Sequence, residues 1–371
     1  MNFRRKLWIL LILAAVLGIL LFVLPDVDGF VRLYDQFIYY PVQSARMIVL
    51  GFIPFSIGDI LYVAGGLLLL VTIIRWVYYI RRFGAYKERL AASLLRTLNT
   101  ALLIYVLFLL GWGANYNKPP LGERWGLHPE IIGRTSTDEQ KAKNLASITA
   151  FDKFLVDKIN AAAPQFRSLP FDDLNERARA YYRVYTNSRV KENGLGIKPT
   201  LYGFFMERMA IEGYYNPFTG EGQVNKNLPG FTLPFVISHE MAHQAGIAAE
   251  GDANLMAYAL GTLVHDPVFN YSAYLNIWLY TNNRLYRRDS TMALQLEAKL
   301  NPLTKRHLDT LEQLSQKYHN DVARYSTELY DGYLKMQQQK DGIRSYGNVS
   351  ALAWQLELKR QTTRAATIKI P

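Results

Sequence analysis

The chain has 371 residues, enough for one large or two ordinary domains, and half of them are hydrophobic. It has no cysteine, which excludes disulfides and thiolate metal sites. Its formal charge of +11 is uneven: residues 1–114 hold eleven Lys+Arg against five Asp+Glu in the most apolar part of the chain, with no basic stripe or base-stacking module, so the composition reads against nucleic-acid binding.

Arg4-Arg5-Lys6 precedes an uncharged run over residues 7–24, long enough to span a bilayer. The run ends Phe22-Val23-Leu24-Pro25-Asp26 without a small-residue cleavage site, so it reads as an uncleaved anchor. Residues 47–54 are apolar but too short to cross, and predict an interfacial or re-entrant piece. A second span is predicted over 60–80 and a third over 97–117, with Arg81, Arg82, Lys87, Arg89 and Arg96 in a loop between them. Basic residues mark the cytoplasmic side, which puts the N-terminus and that loop inside. Three crossings then place residues 118–371 outside, as an extracytoplasmic domain on a bacterial plasma membrane.

Beyond a Pro/Gly linker at 116–125, Ser136 and Glu139 are spaced as a capping box opening a helix that ends before Pro164. A second helix is expected over 171–189, broken by Asn193-Gly194-Leu195-Gly196. Ile211-Glu212-Gly213-Tyr214-Tyr215 looks extended, residues 216–220 form a turn, and residues 221–225 return as a second strand. A helix starts near Pro234. Others follow over 252–264, over 268–288, and from Asn301-Pro302 to about 337. The outer part is therefore mostly helical with a small sheet.

The helix at Pro234 carries His239-Glu240-x-x-His243. Residues i and i+4 share a helix face, so His239 and His243 can both aim a ring nitrogen at one ion. Zinc takes imidazole and carboxylate ligands tetrahedrally and keeps one position open in catalytic sites. Glu240 is then left to take a proton from the attacking water. The flanking Ser238, Met241, Ala242 and Gln244 are uncharged, as a half-buried metal helix requires, and Gly246 can end the helix and turn the chain. The third ligand is open between Glu250 and Asp252, with His265 a weaker candidate. Glu250 is preferred because Asn254 lies one helical turn on and can orient a ligand. The bland reading of Asp252 is a first-turn acid of its helix.

His239-Glu240-x-x-His243 followed by Glu250-x-x-Ala253-Asn254 resembles the gluzincin metallopeptidases, in which a Glu on a later helix completes the zinc site. The whole chain is similar to a bacterial family of uncharacterised membrane proteins with three N-terminal spans and an outer domain carrying this motif. That similarity runs through Ser56-Ile57-Gly58-Asp59-Ile60, residues 213–221, residues 239–254 and Ser345-Tyr346. It departs from gluzincins in the short spacing from His243 to Glu250, in Asp at 252 and in Asn at 254. The resemblance implies a zincin-like domain with Zn²⁺ on His239, His243 and Glu250, and Glu240 as general base for cleavage of envelope proteins or peptides. It also implies an oxyanion donor, with Tyr258, His265, Tyr271 and Tyr274 as candidates, and a substrate-pairing edge strand at residues 213–216. The alternative is an inactive zincin-like scaffold or sensor of the envelope. The partners expected are the lipid bilayer and a protein or peptide substrate.

Overall fold

The structure, a computed structural model, describes residues 3–27, 29–129, 137–185, 195–318 and 346–362. It divides into two compact units. The first is Met1–Lys118 with Asn216–Glu221, and the second is Pro119–Tyr215 with Gly222–Pro371.

The first unit is helical, with α1 (Phe3–Phe22), α2 (Phe30–Tyr34), α3 (Tyr40–Leu50), α4 (Ile57–Arg81) and α5 (Phe83–Gly111). Three stretches, Phe3–Asp26, Ile57–Arg81 and Phe83–Gly111, are long and apolar enough to cross a membrane. Their outward faces carry large side chains such as Ile12, Leu68, Ile74 and Leu107, about half exposed or more. Exposed apolar area on this scale is unfavourable in water by about 25 cal/mol per Å², and hydrocarbon removes that penalty. Two hydrogen bonds link the helices: Asn99 Nδ2 donates to Lys6 O at 2.9 Å, and Trp76 Nε1 donates to Ser93 Oγ at 3.0 Å.

Two expectations change here. The basic stretch between the second and third spans is not a loop: α5 starts at Phe83, one residue after α4 ends. Lys87, Glu88, Arg89, Leu90, Ala91 and Ala92 are strong helix formers, and their charges mark the end of an apolar face without ending the helix. The third span also stops at Gly111, and a 3₁₀ turn takes Gly113–Asn117. Residues 47–54 are the end of α3 and the loop after it. Pro41 cannot donate a backbone N–H, and a π-helical turn at Asp35–Tyr39 carries the chain into it.

The second unit contains α6 (Leu121–Arg124), α7 (Asp138–Ala162), α8 (Phe171–Tyr185), β1 (Ile197–Pro199), α9 (Gly203–Arg208), β2 (Gly213–Asn216) and β3 (Glu221–Val224), the last two running into the turn assigned to the first unit. After them come α10 (Leu233–Gln244), α11 (Glu250–Leu263), α12 (Pro267–Tyr286), α13 (Ser290–Glu297), α14 (Pro302–Tyr318) and, as the last described helix, α15 (Tyr346–Thr362). The capping box of α7 is Thr137 with Gln140, one residue beyond the expected pair. Ser136 lies outside the described residues, as do residues 186–194, residues 319–337 of the helix expected after Pro302, and Ser345. The sheet order is β1-β3-β2. β1 is an unforeseen strand that pairs in parallel with β3, Ile197 opposite Gly222. Asn175 of α8 clips β1, accepting from Ile197 N and donating to Ile197 O, both at 2.9 Å.

Helices α7 and α12 pack along each other and enclose Asp152, which is fully buried. Its Oδ1 accepts from Trp278 Nε1 at 3.1 Å, while Oδ2 has no partner. Burial raises this carboxyl to about 7, opposed by the Trp278 and Asn282 hydrogen bonds. The folded state therefore holds a proton that the unfolded state has released, and stability falls as pH rises from about 4 through about 7. Asp152→Asn keeps the acceptor for Trp278 and has no charge to bury. Wild type should lose about 3 kcal/mol more than the variant between pH 5 and pH 8 in equilibrium unfolding of the full chain. Equal losses would show that Asp152 does not titrate in this range.

Candidate metal centre

Helix α10 is buried on nearly every side, and of its twelve residues only His239 is partly accessible. Pro234 sits in its first turn, where no intrahelical N–H is needed. Tyr182 OH donates to Ser238 O at 2.6 Å, and Gln244 exchanges two 3.0 Å hydrogen bonds with the backbone of Gly196. The helix ends as expected at Gly246, whose φ of 88° is left-handed. Gly246 N bonds to His243 O and Ile247 N to Ala242 O, a Schellman closure. The same turn brings Ile247 O back to within 2.7 Å of His243 Nδ1. The residue that stops the helix thus also orients a ring on it.

The chain then starts α11 at Glu250, which returns its carboxylate to α10. Nε2 of His239 and Nε2 of His243 are 3.1 Å apart. Glu250 Oε2 is 3.2 Å from His239 Nε2, and Oε1 is 3.5 Å from His243 Nε2. Ligands at the edges of a zinc-sized tetrahedron lie about 3.3 Å apart. Both rings are set by their other nitrogen. His239 Nδ1 faces Asn254 Oδ1 at 2.8 Å and His243 Nδ1 faces the Ile247 carbonyl, so each donates there and turns Nε2 to the centre. Asn254, one helical turn beyond Glu250, thus lies against the His239 ring. His239, His243 and Glu250 are the one such ligand cluster among the described residues.

The charges agree with the geometry. Burial lowers the proton affinity of both rings, but Glu250 and, more weakly, Glu240 outweigh it at His239, which rises to about 9. His243 falls to about 4, because burial dominates and His239 already carries the charge.

Glu240 points to the sheet side. It is 3% exposed, and its Oε2 has no hydrogen-bond partner among the described residues. Two glycines make room for it. A Cβ on Gly213 would lie 2.6 Å from Glu240 Oε1 and 2.9 Å from Gln223 O, and one on Gly222 would lie 3.3 Å from Glu240 Cβ. Burial raises the Glu240 carboxyl to about 8, opposed by His239 and reinforced by Glu250 and Glu212.

The remaining candidates separate. Asp252 does not join the group: its Oδ2 accepts from Leu121 N at 2.9 Å and caps α6, while burial raises it to about 6. His265 is exposed and stands outside the cluster. Tyr258 OH donates to Glu357, Tyr271 OH donates to Thr304 and meets His307, and Tyr274 packs on Tyr258. The aromatics that do reach the centre are Tyr215, its ring centroid 6.3 Å from that of His243, and Tyr280, which feels the charges of Glu212 and Glu250. Glu212 and Tyr280 were not singled out as site residues. The signal for Tyr280 is helical spacing: it lies two turns beyond Ser272, whose Oγ accepts from Phe235 N of α10.

Asn254→Ala removes the partner of His239 Nδ1 and frees the ring to turn. Zinc affinity should fall about 10- to 100-fold, as for other groups that orient a ligand. Competition with a chromophoric chelator measures it, and an unchanged affinity would show that Asn254 does not orient the ring.

A mostly helical chain with three membrane-length helices and a carboxylate–dihistidine cluster shared by two adjacent helices is the class defined so far. The chain belongs to the family described as "Protein of unknown function (DUF3810)", which matches residues 34–354. No curated protein and no solved structure matches it.

Proposed function

We propose that this is a membrane-anchored zinc metallopeptidase of the gluzincin type, with its second unit a zincin-like domain on the outer side of a bacterial plasma membrane. The observation that carries the reading is the convergence of two imidazole Nε2 atoms and one carboxylate at tetrahedral spacing, beside a buried carboxylate with an unpartnered oxygen. His239, His243 and Glu250 would hold Zn²⁺, which when bound supplies a Lewis acid and lowers the pKa of water. Glu240, in its carboxylate form and with Oε2 unpartnered among the described residues, accepts the proton of the attacking water and delivers it to the leaving amine. Strand β2 lies at the edge of the sheet with Gly213 against Glu240, so a peptide laid along it brings its carbonyl to the same carboxylate. Tyr215 and Tyr280 replace the four residues first considered as oxyanion donors.

The orientation follows from Arg4, Arg5 and Lys6 before the first span and the basic residues around the α4–α5 junction, which put both on the cytoplasmic side. The test is cleavage of a broad peptide library by the purified full chain. The reading predicts cleavage that a zinc chelator stops and added zinc restores. A zinc-loaded protein that cleaves nothing would favour the scaffold reading.

A further inference from the structure

The turn Asn216–Glu221 between β2 and β3 belongs to the first unit, and Gly222, the next residue of β3, lies against Glu240. We propose that Glu221 is a positioning residue for Glu240, setting the hairpin floor on which that carboxylate rests; this builds on the reading of Glu240 as proton acceptor.

Glu221 is 1% exposed. Its Oε2 accepts from Gly58 N at 2.7 Å and its Oε1 from Ile57 N at 3.4 Å. These are free N–H groups of the first turn of α4, where a carboxylate is favoured by both hydrogen bonding and the helix dipole. Ser56 caps the same turn through Asp59 N. The neighbouring residue is seated as firmly. Gln43 is fully buried and donates to Gly220 O at 2.8 Å. Gly220 has φ 72°, a left-handed conformation strained for other residues, and a Cβ there would meet the Gln43 amide. Asn216 closes the turn, its Oδ1 accepting from Phe218 N and Thr219 N.

From this seat the path to Glu240 is one peptide bond. Gly222 follows Glu221 and lies against the Glu240 side chain, and Gly213 on the paired strand lies against its Oε1. A hairpin that shifted at Glu221 would move both glycines. The hydrogen bonds that seat Glu221 and Gly220 are made to Ile57, Gly58 and Gln43, and the hairpin residue that approaches the two histidines is Tyr215.

The test uses the full chain in detergent or nanodiscs, as wild type, Glu221→Ala and Glu221→Gln. Glu221→Ala should raise amide exchange in residues 213–224 about tenfold, the factor one charge-assisted hydrogen bond carries. The turnover number for peptide cleavage should fall by a similar factor, with zinc content unchanged. Glu221→Gln, which keeps one acceptor oxygen at the same reach, should recover part of both. Wild-type exchange across residues 213–224 in Glu221→Ala would overturn the proposal. So would exchange rising evenly through the second unit with loss of zinc, which would mark an ordinary folding role. If wild type shows no Glu240-dependent cleavage, the peptidase reading fails, and the exchange result alone decides the role of Glu221.

Discussion

Glu240→Gln should lower peptide cleavage by about 10²- to 10⁴-fold, the range that a positioned general base contributes. Gln is nearly isosteric and fits the space left by Gly213 and Gly222, so the fold and the zinc ligands should be undisturbed. The amide cannot take up a proton, and that is the one property removed. A structural role for Glu240 predicts the opposite pattern. Its Oε2 has no hydrogen bond to lose, and burial makes its charge unfavourable, so Gln would then stabilise the protein and leave any activity intact. Steady-state kinetics on one cleaved peptide, with zinc content and thermal midpoint measured on the same sample, separate the two. Unchanged turnover would remove Glu240 from the mechanism.

Glu250→Ala is the second large effect. Among the described residues it removes the one carboxylate that meets both imidazoles, leaving two rings for a divalent ion. Zinc affinity should drop by about 10²-fold or more, taking one ligand as a third of a binding free energy on the order of 10 kcal/mol. Asp252→Ala, two residues away, is the matched comparison. It should keep zinc and instead loosen α6, whose Leu121 N–H it leaves unbonded. Zinc retained in Glu250→Ala and lost in Asp252→Ala would reverse the assignment of the third ligand.

The choice between these two acids shows where reading the chain reaches its end. His239, Glu240 and His243 were legible because the four-residue spacing fixes a shared helix face, and Gly246 because a left-handed closure suits glycine. Asn254 was legible from its spacing to Glu250. Asp252 was ambiguous because its partner, the N–H of Leu121, lies 131 residues away. Strand β1 was missed because it is only three residues long and pairs in parallel with a strand more than twenty residues on. Tyr280 and Glu212 reach the centre only through the packing of α12 and the placement of β2. The start of α5 was misplaced because a run of charges was read as a loop, although those residues favour helix. Local spacing carried the ligands, and long-range partners decided what surrounds them.

Elemental analysis of the purified full chain tests the central claim most directly. The account predicts about one zinc per chain, bound without added metal, and none in His243→Ala folded to the same extent, since three protein ligands define a site of this kind. A wild-type protein that stays folded and takes up no zinc at micromolar metal would contradict it.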